Sequence, residues 1–218
     1  AMRQLPRPGR RRRLALSRDG RYPVVSTLTP PLPQPGPLSI ERYLRLAEEG
    51  VFDDRRVELL DGDVVEMPPI GSRHVVTLDD LRDAIARRVG DRACIRTQSP
   101  LALGRDSLPQ PDLCIVPGRR ADYRDAHPTS ALLVIEVSDT TLRLDRTTKA
   151  ALYARAGVPE YWIVNLVDEQ IEVHRTPDAT QARYTEIRVL RADKSVSTHT
   201  FPDVVLDVGI VLGRAAER

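Results

Sequence analysis

The run Leu132-Leu133-Val134-Ile135-Glu136-Val137 is apolar at every position but one. A strand with one wet face alternates apolar and polar side chains, so an unbroken apolar run reads as a strand buried on both faces. Such a strand needs a sheet covered on each side. Asp112-Leu113-Cys114-Ile115-Val116, set off by Pro109-Gln110-Pro111, reads as a second apolar strand. Together they predict an α/β (α+β) domain, a mixed central β-sheet flanked by helices.

The segments around them supply the flanks. Ser39 is a suitable N-cap for a helix through Ile40, Tyr43, Leu44, Leu46 and Ala47, ended by Gly50. Asp61-Gly62 stands between Val57-Glu58-Leu59-Leu60 and Asp63-Val64-Val65-Glu66-Met67, which predicts a tight hairpin. A helix opening at His74 is expected to bury Val75, Leu78, Leu81, Ile85 and Val89. Short strands are expected over residues 93–97 and 101–103, and a helix over 145–156, stopped by Gly157. Tyr161–Asn165 and Gln170–His174 read as another hairpin, 184–190 and 195–200 as further strands, and 204–212 as a closing segment with a short helix. No internal repeat is present.

Acids on apolar strands need an explanation, because an isolated buried carboxylate is costly. Glu58, Asp112 and Glu136 all lie in such segments, which points to one shared site. A hard cation is the obvious partner, since Mg²⁺ takes oxygen ligands, often one or two carboxylates with substrate phosphates. Lys149 and Tyr153 are four residues apart on the next helix and share a face. Read singly, each group has a plainer role. Glu136 and Asp112 serve as strand-end acid and turn cap, Glu58 as a cross-strand partner of Arg56 or a neighbouring lysine, Lys149 as a surface partner of Asp145, and His74 as a helix-start or packing histidine. Tyr153, Tyr161 and Trp162 read as core, and His127 and His174 as structural.

Longer stretches carry a resemblance. Pro111-Asp112, Glu136-Val137-Ser138 and Lys149 resemble the PD-(D/E)XK nuclease superfamily. Arg56-Val57-Glu58-Leu59-Leu60-Asp61-Gly62, Gln110-Pro111-Asp112, Val134-Ile135-Glu136-Val137-Ser138 and, most specifically, the segment from Asp145 to Trp162 are similar to the Uma-two family of bacterial restriction-endonuclease-like proteins. The resemblance covers about residues 38–213. It implies a restriction-endonuclease-like fold and an Mg²⁺- or Mn²⁺-dependent endonuclease that hydrolyses DNA phosphodiester bonds. It implies Glu58, Asp112 and Glu136 as metal-binding acids and Lys149 as the catalytic lysine, with His74 as a further catalytic residue. The superfamily lysine expected two places after Glu136 is replaced by Ser138, and the resemblance implies that Lys149 takes its part from the following helix. The alternative is a catalytically silent module of the same fold, acting in nucleic-acid binding or assembly.

Composition narrows the remaining classes. Net charge is +2, and no stretch approaches the roughly 18 apolar residues of a membrane span. Two cysteines, Cys94 and Cys114, fall short of the roughly four ligands of a structural zinc site and read as reduced core residues. Residues 1–37, with Arg10-Arg11-Arg12-Arg13 and five prolines between Pro30 and Pro37, read as a flexible leader to a domain over 38–218. No sustained apolar segment follows the basic run, so no signal peptide is read and a cytoplasmic protein is expected. No helix-turn-helix or zinc finger is evident. Cutting both strands of a duplex with one site per chain predicts a homodimer.

Overall fold

Leu133–Ser138 forms a strand buried along its whole length, as an unbroken apolar run requires. The computed structural model describes residues 36–214; the expected leader lies outside them except for Gly36 and Pro37. The order is α1 (Ile40–Glu48), β1 (Val57–Leu60), β2 (Asp63–Glu66), α2 (Ser72–Val89), β3 (Cys94–Thr97), β4 (Leu113–Val116), β5 (Leu133–Ser138) and α3 (Leu142–Leu144). A π-helical turn (Asp145–Lys149) leads into α4 (Ala150–Arg155). Then come β6 (Glu160–Asn165), β7 (Gln170–Asp178), β8 (Arg183–Arg191), β9 (Ser195–Ser197), β10 (Val205–Asp207) and α5 (Val208–Val211).

Six strands form the main sheet in the order β3-β4-β5-β6-β7-β8. β5 and β6 run parallel, joined through the helical segment, and the other neighbours are antiparallel. Strand alternation divides the core in two. Leu113, Ile115, Leu133, Ile135, Val137, Trp162 and Val164 pack under α2 and α5, with Leu78, Leu81, Ile85, Val208 and Val211. Cys114, Val116, Val134, Tyr161 and Ile163 face the other way, onto Leu152, Tyr153 and Ala154 of α4. Glu136 and Ser138 share the parity of Val134, so both point to the α4 face. The mixed sheet with helices on both faces is the expected fold.

The local signals work for identifiable reasons. Ser39 Oγ accepts the N–H of Arg42 at 3.2 Å and caps α1. β1 and β2 pair with Leu60 opposite Asp63, and the Asp61 and Gly62 between them take φ of 53° and 82°, the two positive values of a type I′ turn. Gly62 is required twice over, because a Cβ there would stand 2.4 Å from Cβ of Pro37. At the end of α4, Gly157 has φ 71°; its N–H reaches the carbonyl of Ala154 and that of Val158 reaches Tyr153, each at 3.0 Å. This left-handed stop turns the chain directly into β6.

Five expectations need correction. Residues 101–103 are no strand: Leu101 and Leu103 are buried, but only an isolated bridge joins Leu103 to Ser107. Their apolar character is met by side-chain burial, without a ladder. Val75 is 45% exposed, and Thr77 takes its place in the buried stripe of α2. Leu44 likewise faces outward, leaving Tyr43 and Leu46 as the buried side of α1. The helix expected over 145–156 begins at Leu142 and is interrupted by the π turn. Of residues 195–200, only Ser195–Ser197 is strand.

Beside the π turn, Glu172 accepts hydrogen bonds from Arg146 at 2.5 and 2.9 Å and from Asn165 at 2.8 Å. Burial alone would raise the Glu172 carboxyl, but these donors outweigh it and hold it below its ordinary 4.5. A carboxyl depressed in the folded state adds stability above its unfolded value, which is lost as pH falls through the folded one. Glu172→Gln is therefore expected to cost about 1 kcal/mol near neutrality, the lower end for a charged hydrogen bond because Arg146 is partly solvated. It should also flatten the acid limb of the stability curve, read by urea denaturation from about pH 7 down to about pH 3.

Candidate active site

Four separate segments bring acids and a lysine to one end of the β4–β5 pair. Leu113 pairs with Ile135, and continuing that register places Asp112 opposite Glu136. Backbone contacts fix the pair: Asp112 Oδ2 accepts the N–H of Val137 at 2.9 Å, and Glu136 Oε2 accepts that of Asp112 at 3.4 Å. The β1–β2 hairpin carries Glu58 in, anchored by the N–H of Leu108 on the carbonyl of Leu59 at 2.7 Å. The π turn brings Lys149, and the first turn of α2 brings His74.

Lys149 is buried, and its Nζ lies 3.0 Å from Glu136 Oε1 and 3.1 Å from Glu58 Oε2. It is not the surface partner of Asp145 that spacing allowed, nor does Glu58 pair with Arg56, whose guanidinium donates to the carbonyl of Pro68 at 3.1 Å. Asp145 is itself buried and accepts Ser138 Oγ at 2.5 Å and Thr141 Oγ1 at 2.6 Å. Ser138, at the place of the superfamily lysine, thus ties down the start of the turn that supplies Lys149. Tyr161 donates its hydroxyl to the Asp145 carbonyl at 3.1 Å. Tyr153, which sequence placed in the core, is fully buried and also donates to Glu136 Oε1 at 2.7 Å. The shared face of Lys149 and Tyr153 was the available signal. His74 Nε2 is 3.0 Å from Asp112 Oδ1, and Gln98 Nε2 is 3.4 Å from the same oxygen.

The charges are out of water, and their acidities show it. Burial pushes Glu136 well above the usual carboxylate range, and Asp112, Asp145 and Glu58 push it further while Lys149 pulls it back. Burial also raises Glu58, with Lys149 opposing and Asp112 adding. Burial by itself would lower Lys149, but the charges of Glu136, Glu58 and Asp145 outweigh it and hold the ammonium above its ordinary value. Tyr153 is raised by burial and then by Glu136 and Glu58, so its hydroxyl stays a donor.

A cavity of about 40 Å³ opens on this cluster, lined among others by Glu58, His74, Asp112, Glu136 and Lys149, and by Gly71 at the start of α2. Its donor set suits a hard cation: Asp112 and Glu136 offer oxygens from adjacent strands, and Glu58 Oε2 is buried without a hydrogen bond of acceptable geometry. Among the described residues no three His, Cys, Asp or Glu side chains form a ready-made cage for a metal ion. Glu58 is turned to Lys149, so the fitting set is the Asp112–Glu136 pair, with Glu58 beside it. Cys94 and Cys114 are buried free thiols, and burial pushes Cys114 up to about 12. His174 lies against Tyr161 and Tyr184, in the expected structural role.

Removing the ammonium leaves two buried carboxylates uncompensated. A carboxyl held above its unfolded value of 4.5 costs stability as pH rises, because the folded chain must release a proton it favours. Lys149→Ala is expected to be little destabilised near pH 4.5 and to lose about 3–5 kcal/mol by about pH 8. Urea denaturation of both proteins at the two pH values measures this.

No curated protein sequence matches the chain at a significant level. Among solved structures, one described as a putative nuclease belonging to DUF820, from Anabaena variabilis, superposes with a TM-score of 0.65 at 16% identity, over 81% of this chain and 98% of that one. At that identity the likeness speaks for the fold, a nuclease fold. A family model described as "Putative restriction endonuclease" matches residues 40–209, which include all five candidate residues. The chain belongs to that family, Uma2.

Proposed function

We propose that this chain is a metal-dependent endonuclease that hydrolyses phosphodiester bonds in DNA. The observation that carries the reading is the convergence of Glu58, Asp112, Glu136 and Lys149, from separate segments, on one small cavity. Buried ion clusters are poor stabilisers compared with well-packed apolar groups. A site whose acidities are shifted by burial and by like charges, in a cavity, is a functional candidate on physical grounds. Membership of a family described as restriction endonucleases supports the nuclease side of the reading.

Asp112 and Glu136 would hold Mg²⁺ or Mn²⁺, with Glu58 alongside. A bound ion of this kind polarises a phosphate and lowers the pKa of its water. Lys149, kept charged by its two acids, places a cation where negative charge develops on the phosphate. Tyr153 and Lys149 both engage Glu136 Oε1 and so fix the carboxylate's orientation. His74, oriented by Asp112, is the proton carrier at the cavity wall. The N-terminus of α2 borders the same cavity, with no acid in its first turn and no side-chain cap, so its dipole favours an anionic phosphate there.

The rival reading, a nuclease fold that binds nucleic acid without cutting it, draws on one observation. Among the described residues no three His, Cys, Asp or Glu side chains form a metal cage before substrate arrives. In a cutting enzyme, Asp112 and Glu136 would hold the ion together with oxygens supplied by the substrate phosphate. Double-strand cleavage by one site per chain further calls for a two-fold dimer, which sedimentation measures directly.

Cleavage of supercoiled plasmid and of single-stranded DNA, with Mg²⁺ or Mn²⁺ and with chelator, tests the proposal. Activity is expected only with metal, and Asp112→Asn and Lys149→Ala should each lower it by at least roughly 10²-fold, with folding checked by circular dichroism. A folded wild-type protein that cuts nothing and takes up no metal in calorimetry would favour the silent module. His74→Ala is expected to lose about 10²–10⁴-fold as a proton carrier; a loss of only about tenfold would reduce it to orienting Asp112.

A further inference from the structure

A second cleft adjoins the acid cavity. It measures about 270 Å³, lies between α1 and the β1–β2 hairpin, and shares Arg56, Glu58, Met67 and Gln110 with the first. Glu58 therefore stands in the wall common to both. The far side is aromatic: the rings of Tyr43 and Phe52 stack with centroids 5.1 Å apart. Tyr43 donates its hydroxyl to the carbonyl of Val57 at 3.0 Å, so its polar end is spent and its ring is fixed.

We propose that this cleft receives one unpaired nucleobase, that of the nucleotide next to the phosphate held at the acid cavity. The inference rests on the nuclease reading and sharpens it: the substrate is a single strand or a locally opened duplex. Each wall suits a base. Met67 offers a polarisable sulfur and the aromatic pair an apolar edge, both favourable to a flat heterocycle. The side-chain amide of Gln110 makes no hydrogen bond with another described residue, and it carries both a donor and an acceptor for a base edge. Arg56 is exposed at the junction of the clefts and gives one N–H to Pro68, leaving further donors for the linking phosphate. The volume is just below the roughly 300–1,000 Å³ of sites for drug-sized ligands, which leaves room for one heterocycle. A base inside a duplex has its pairing edge covered, so entry requires unpairing.

The test is binding, in chelator so that nothing is cut, of a labelled single-stranded DNA of about 12 nucleotides. A series of the same oligonucleotide carries one abasic site at successive positions. Loss of the base at one position is expected to weaken binding about tenfold, with smaller effects elsewhere. Met67→Ala and Gln110→Ala, both at half-buried positions outside the acid cluster, should weaken the intact strand about fivefold or more and bind the critical abasic strand as wild type does. Equal affinity for every abasic strand, or variants that weaken intact and abasic strands alike, would overturn the base cleft and leave the nuclease reading standing. No binding to any oligonucleotide by the folded protein would likewise overturn the base cleft.

Discussion

One buried ammonium organises this molecule. Lys149 sits in the protein interior between Glu136 and Glu58, and neither acid nor base could stay ionised there without the other. Its position ties together parts of the chain that share no sheet ladder: the β1–β2 hairpin through Glu58, the main sheet through Glu136, and the helical segment through its own backbone. The hairpin is a small two-stranded unit, and units of that size are marginal by themselves. Its ion pair joins it to the π turn, and its contact to Leu108 joins it to the segment between β3 and β4.

Such a cluster is an inefficient way to hold a protein together. Apolar side chains of the same volume would pack as well and avoid the desolvation of charge. Here the interior instead spends several hydrogen bonds on orienting carboxylates. Glu136 Oε1 is engaged by Lys149 and Tyr153, and Asp112 Oδ2 by a backbone amide, so both acids are held in a fixed orientation in the cavity wall. Preorganised oxygens of this kind bind a cation or polarise a substrate without reorganising first.

The sheet was legible because its signal is physical and local. An apolar run without alternation can satisfy itself only by two-sided burial, and β5 does. Asp61-Gly62 likewise determines its turn, since both residues must take positive φ. Residues 101–103 misled because apolar spacing reports burial rather than hydrogen-bonded pairing, and a loop can be buried by its side chains alone. The acids could be listed from sequence as unusual residues on apolar strands, and the family resemblance linked them with Lys149. Tyr153 was placed on the right helix face but assigned only to packing, because an aromatic residue in a core gives no sign of where its hydroxyl points. The role of Ser138, through Asp145, lies beyond sequence altogether, since it depends on the exact path of the chain between β5 and the helix.

That path contains the π turn, where Ala150 N–H reaches back to the carbonyl of Asp145. One residue more than an α-helix would use is lodged between Asp145 and α4. Everything downstream is phased by that surplus: an α-helix advances about 100° per residue, so shortening the turn by one would swing Leu152, Tyr153 and Ala154 round by about that angle. The constraint here is on spacing more than on residue identity. A substitution at an exposed position such as Thr147 changes one side chain, whereas a single-residue deletion would rephase an entire helix against the sheet. In this segment chain length itself acts as the ruler that sets the site.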